Sequence, residues 1–560
     1  MKKVSLFICL FIFGGWFGVN GQSAFTQKEF IDINNIKASQ LVHGDMWFDP
    51  NIADAVCEFP KNSGKNIAYC GSIWMAGYDP VGKLHAAAQT YRQTGNDYWP
   101  GPHGNDTLPL PYATSAKWAK IWKVNRTTIN YFLTLSNHTL TNTPAAILEW
   151  PAKGNPYAKG DGGVALTITD DLAPFVDVNN DGIYSALNGD YPLIKGDQML
   201  WNVFNDNGAS HTQTGGLPLN VSVNLSVYGY QRNSPIDNIL YYEYNITNKS
   251  PVAYDSFAVG IFADEDLGYS MDDYVGFDSS RRMGFSYNGR ENDSMINASC
   301  YGDTIPMMGV RILELPGDSC NNYAPLGSFM YIRNDTDYVR GFPVNDVQFN
   351  NYLRHHWRNG HRLAAPYYSL PSLDVYDDGT GPGAPVNYVY DGSLQVIGSW
   401  NECEMASLTD DYSMIMASKP FTLHANQTIR VSFALIASPP KYHNGCPFMD
   451  YTQLGIYSDT AQKIYCNPLP LLTSGVNDIT GKVAEINIHP NPASELLFID
   501  KTIPTTAQLR VMDALGRNMP VHFNNNGSKT EVNISQLPTG MYLLIIENGN
   551  ELLKERFVKE

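Results

Sequence analysis

Positive charge, paired cysteine motifs and long apolar runs are all scarce in this 560-residue chain. Lysine and arginine number 38 against 55 aspartates and glutamates, a net charge of −17. A surface of that sign repels phosphate backbones and argues against nucleic acid as a partner. It suits a protein that stays soluble outside the cell and attracts divalent cations. No C-x-x-C occurs, which argues against zinc ribbons and thioredoxin-like chemistry. H-E-x-x-H, the G-x-S-x-G elbow, the phosphate loop and the dinucleotide loop are missing too, so no catalytic residue is assigned. After the first twenty-one residues no run approaches the roughly 20 apolar residues that span a bilayer, and no transmembrane segment is expected in the mature chain. Helical periodicity is confined mainly to Tyr451–Tyr465, and the lack of a fixed-period repeat disfavours solenoids and propellers.

What is present begins with a processing signal. Lys2 and Lys3 precede an almost wholly apolar Val4–Phe17, and Val19-Asn20-Gly21 offers small residues for cleavage. Residues 1–21 are therefore expected to be a Sec signal peptide, with Gln22 as the new N-terminus. Beyond it, strand signals dominate. Leu217–Tyr230 (LPLNVSVNLSVYGY), Ile239–Thr247, Ser256–Phe262 and Thr428–Ala437 alternate apolar and polar residues, as half-buried strands do. Clusters of glycine, proline, asparagine and aspartate separate them. The expected fold is all-β: one or two large β-sandwich-like domains over residues 22–472, then a small C-terminal sandwich over residues 473–560. Pro468–Asn477 (PLPLLTSGVN) reads as the linker between them. Sequence neighbours suggest the disulfides Cys57–Cys70, Cys300–Cys320 and Cys446–Cys466, permitted in an oxidising periplasm, with Cys403 left over.

The C-terminal segment strings several motifs together: Pro490-Asn491-Pro492-Ala493, the Val511–Arg517 turn, Leu537 with Gly540-Met541-Tyr542, and a final strand ending in Val558-Lys559. On these residues it resembles the type A sorting domain of type IX secretion cargo, with His489 standing where that family often has an aromatic ring. The resemblance implies an Ig-like sandwich and a Gram-negative source of the Bacteroidetes type. It also implies recognition of residues 473–560 by the outer-membrane translocon, then release or attachment to surface lipopolysaccharide. Gln89–Pro102, Asp177–Gln198, Asp264–Asn288 and Ser418–Ala437 also resemble a recurrent large ectodomain of such cargo; that resemblance implies location and β architecture, and no activity.

Two acidic patterns in the middle offer ligands for metal, and each also reads as a solvated surface loop. Asp177, Asn179 and Asp181 place oxygens at alternate positions before Gly182, with Ile183 at a carbonyl position, as calcium loops require. Asn188 stands at the twelfth position, where an EF-hand has glutamate, and Asp190 can supply the missing carboxylate. The second pattern is Asp264, Asp266, Asp272, Asp273 and Asp278, carboxylates that repel one another unless solvated or bridged by a cation. His355, His356 and His361 lie among Arg354, Trp357, Arg358 and Arg362 at spacings that do not suit zinc, and read as a structural or surface loop. The functional expectation is a secreted or surface-attached, calcium-stabilised binding or structural protein, adhesin-like, with a glycan or protein ligand. Its 34 tyrosines, 24 phenylalanines and 10 tryptophans suit such ligands, although most rings must be core. The alternative is a secreted hydrolase acting on polysaccharide or protein.

Overall fold

The computed structural model describes residues 25–560 apart from 92–94, 105–106, 294–298, 321, 335–336, 366–383, 397, 406–408, 440, 443–450, 470–486, 505–506, 514–517, 527–528 and 549–550. The expected signal at residues 1–21, most of the expected linker and Cys446 lie outside the described residues. The chain divides into two compact units, Met1–Leu472 and Thr473–Glu560. Both are all-β in character.

In the large unit the principal strands are β1 (Cys70–Tyr78), β2 (Leu84–Ala87), β3 (Gln198–Asn205), β4 (Val221–Gly229), β5 (Ile239–Asn248) and β6 (Tyr254–Asp264). They continue with β7 (Asp273–Asp278), β8 (Met283–Asn288), β9 (Met308–Glu314), β10 (Ser328–Arg333), β11 (Tyr412–Ala417) and β12 (Thr428–Ala437). One antiparallel sheet runs β7-β8-β9-β12-β5-β4-β3, and a second runs β10-β11-β6-β1-β2. The two face each other. Phe277 of β7 stacks on Phe329 of β10 at 4.6 Å, and a Cβ at Gly284 of β8 would stand 2.6 Å from the Met414 sulfur of β11. Only glycine lets the sheets approach so closely there.

Strands expected to be half-buried prove buried on both faces. Ile239–Asn248 alternates as read from the sequence, yet nearly every residue is enclosed. The outer face is covered by the helix Thr452–Cys466, whose Ala461 carbonyl accepts from the Tyr241 hydroxyl at 3.4 Å. Further along, Trp118, Trp122, Trp150 and Trp201 interlock under the short helices Tyr112–Trp118, Arg126–Leu133 and Ala145–Leu148. Polar positions of the alternation thus serve as a second core layer, with tyrosine hydroxyls finding partners.

The disulfide expectation needs correction. Cys320 is bonded to Cys466, across 146 residues. The helix ending at Cys466 lies against β9 and brings the two sulfurs together. Cys57 and Cys70 are buried thiols on different ladders, paired with Ala38 and Asp264 respectively, and do not bridge. Cys300 is not joined to Cys320, and Cys403, left over in the sequence reading, is disulfide-bonded.

The small unit is a sandwich in its own right. One four-stranded sheet holds Ile488–His489, Leu496–Ile499, Lys529–Asn533 and His522–Asn526 in that order; the other holds Asn518–Met519, Gln508–Asp513, Gly540–Asn548 and Glu551–Lys559. Leu497, Ile499, Val511, Val532, Tyr542, Leu544 and Phe557 fill the core between them.

Candidate functional site

Strand pairing in the large unit delivers acidic side chains to one end of the sandwich. Asp264 ends β6, in register with Ser413 of β11 on one side and Cys70 of β1 on the other. Ser413 donates to its Oδ1 at 2.6 Å. The chain then turns through Glu265 and Asp266. Asp411 stands just before β11, its carboxylate accepting from Asn334 at 2.9 Å. Asp273 opens β7 of the facing sheet, bridged to Asp410 and accepting the Leu267 amide at 2.9 Å. Carboxylate oxygens of Asp264, Asp266 and Asp411 come within 4.8 Å of one another.

Electrostatics follow from that crowding. Burial, and after it the charge of neighbouring carboxylates, pushes the carboxyls of Asp264, Glu265, Asp266, Asp273 and Asp411 above their ordinary range. The guanidinium of Arg333, on β10 beside β11, is paired with Asp410. With Asp264, Glu265 and Asp273 buried and Asp266 and Asp411 half-buried, such a group needs protons or a cation to be tolerated.

Of the residues picked out by sequence, Asp264, Asp266 and Asp273 meet here. Asp272 turns to Asn288, whose amide it accepts at 3.0 Å. Asp278 sits at the far end of β7, accepting from Ser280, from Arg281 and from the Tyr451 hydroxyl at 2.7 Å. Two members escaped the sequence reading. Glu265 was hidden between two aspartates, and Asp411 comes from a distant strand, with no local signal to mark it.

The Asp177 loop forms separately. A short ladder, Phe175 with Pro192 and Val176 with Tyr191, closes its base. Asp190 is wholly buried and ties the loop from inside, accepting the Val178 amide at 2.9 Å and the Ser185 amide at 2.8 Å. Asp177 accepts the Gly182 amide, Asn179 donates to Asp181, and Asp181 accepts the Ile183 amide, all at 2.8 Å. Gly182 has φ +75°, the left-handed turn a calcium loop needs. In the histidine segment, His355 Nδ1 lies 3.0 Å from the Gly327 carbonyl and His356 Nδ1 lies 2.6 Å from that of Arg354, so both rings hold the loop.

A cleft of about 340 Å³ opens beside Asp278, lined among others by Arg281, Phe285, Asp391 and Tyr451. Burial alone would raise Asp278, yet hydrogen bonds from Ser280, Arg281 and Tyr451 hold it below the usual carboxylate range. Partial burial lifts Asp391 above it.

Residues 487–560 match the family described as the secretion system C-terminal sorting domain. That segment is a type IX sorting domain; it marks the chain as cargo that crosses the periplasm for release or surface attachment, and the translocon as its partner. No curated protein matches the chain. Among solved structures it is similar to a polysaccharide lyase at 9% identity, with a TM-score of 0.18, over 60% of this chain and 34% of that one. It is also similar to the BSP domain of a biofilm-associated protein at 10% identity, with a TM-score of 0.12, over 97% of this chain and 84% of that one. The chain spans about a third of the length of the lyase. Neither likeness is strong enough to carry an argument about fold or activity. No helix among the described residues is long and apolar enough to cross a membrane.

Proposed function

We propose that the large unit works outside the cell as a calcium-stabilised binding or structural protein, adhesin-like in role, displayed or released by its sorting domain. The Asp177–Asp190 loop carries this reading. Its base is pinned by a ladder and a buried carboxylate, while Asp177, Asn179 and Asp181 stay together at the surface. A loop so pre-ordered offers oxygen ligands at small entropic cost. Aromatic rings beside carboxylates in the Asp278–Asp391 cleft suit the faces and hydroxyls of a glycan.

Melting tests the calcium reading. A ligand bound only to the native state stabilises it by about 2.7 kcal/mol at a hundredfold excess over Kd. The wild type should melt higher in calcium than in chelator, and Asp181→Ala should narrow that gap. Identical melting in both conditions, for both proteins, sinks the reading.

The cleft also favours a second reading, a polysaccharide hydrolase. Two carboxyls whose environments push them in opposite directions are the arrangement that separates a general acid from a base. A hydrolase of this kind would release reducing ends from a polysaccharide and lose at least about a hundredfold in rate in Asp391→Asn. A wild-type chain that releases none from any polysaccharide offered has no such activity.

A further inference from the structure

The five carboxyls at the end of the sandwich are more than a crowded patch. Glu265 is 1% exposed, and neither of its carboxyl oxygens has a hydrogen-bond partner. Its electrostatic neighbours are Asp264, Asp273 and Asp266. One oxygen of Asp266 and one of Asp273 also lack partners, and Asp273 is wholly buried. Among the described residues no lysine, arginine or histidine makes an ion pair with any of the five. Buried polar atoms are nearly always satisfied, and an orphaned oxygen on Asp266, one of three residues whose carboxylates come within 4.8 Å of one another, asks for a cation.

We propose that Asp264, Asp266 and Asp411 form a half-buried site for one divalent cation of the calcium class, with the buried carboxyls of Glu265 and Asp273 adding negative charge nearby. The donors are all hard oxygens; the thiol of Cys70 stands 4.0 Å from Asp264. The carboxylate oxygens of Asp264, Asp266 and Asp411 lie close enough together for one ion to reach all three. The ion would tie the exit of β6 to the entry of β11, neighbouring strands of one sheet. None of its ligands belongs to the Asp177–Asp190 loop, so the two sites stand or fall separately.

The test counts ions and melts on the full chain. After dialysis against micromolar calcium, Asp266→Asn and Asp411→Asn should each retain one calcium fewer per chain than wild type. Asp181→Ala should leave this ion in place. In chelator Asp411→Asn should melt above wild type, because a like charge has gone from the cluster; in calcium it should melt below. The same ion count in Asp411→Asn and wild type overturns the proposal, and so does an equal loss of melting temperature with and without calcium. A wild-type measurement guards against variants that fail to fold. Terbium added to the intact chain should emit when tyrosine is excited, since Tyr91 is an electrostatic neighbour of Asp264. Calcium should quench that emission at far lower concentration than magnesium; absent emission, or quenching by magnesium equally well, overturns the site.

Discussion

His211→Ala should lower the unfolding free energy by about 3–5 kcal/mol, the cost of removing one partner from a buried charge arrangement. The imidazole is completely enclosed, with Nδ1 2.8 Å from the Ala86 carbonyl and Nε2 2.5 Å from the Asp206 carbonyl. Both partners are carbonyl oxygens and can only accept. Each ring nitrogen must therefore carry a hydrogen, which makes the ring an imidazolium. The Asp97 and Asp206 carboxylates stand 3.6 and 3.9 Å away to balance it. They are held in turn by the Thr214 hydroxyl and by the amides of Gln213, Leu219 and Val221. Burial by itself would depress the histidine, but Asp97, Asp206 and the two carbonyls outweigh it and raise its pKa. A raised histidine contributes stability that is complete below its unfolded value of about 6.5 and is lost as pH climbs through the folded value. Urea unfolding at pH 6 and pH 9 should show a wide gap between wild type and His211→Ala at the lower pH and a narrower one at the higher. An equal gap at both would mean that the ring is neutral.

Much of this architecture could be read from the chain because its signals are local. Alternation in Ile239–Thr247 and Thr428–Ala437 corresponds to β5 and β12, which pair over nearly their whole length. The periodic segment Tyr451–Tyr465 corresponds to the helix Thr452–Cys466. What escaped was set by pairing between distant strands. Cys466 meets Cys320 because a helix lies across β9, and nearest-neighbour spacing carries no trace of that. Asp411 joins Asp264 because β11 lies beside β6. Asp278 leaves the cluster because it stands at the other end of the strand that Asp273 begins, where Arg281 and Tyr451 hold it. The short helices of residues 112–148 went unread since each is eight residues or fewer, too brief to establish a period.

Deleting Lys554–Glu560 should stop export and leave the protein in the periplasm. The reason lies in how the last strand is built into the sorting domain. Glu551–Lys559 pairs with Gly540–Asn548 along its full length. Phe557 is 1% exposed and stacks on Tyr542 at 5.5 Å. The Pro490–Ala493 motif grips the same strand: Ala493 donates to the Val558 carbonyl at 2.8 Å, and the Val558 amide donates to the Asn491 side chain at 2.9 Å. Removing seven residues opens the sheet edge, empties part of the core and releases that motif. A translocon that reads a folded surface then has nothing to bind, although the large unit, with its separate core, remains folded.

Cell fractionation of two strains, one with the intact chain and one with the chain ending at Leu472, tests the cargo assignment most directly. The intact chain should be found at the surface or in the medium, and the shortened one wholly in the periplasm with an unchanged melt of its large unit. Normal amounts of the shortened chain outside the cell would contradict the account.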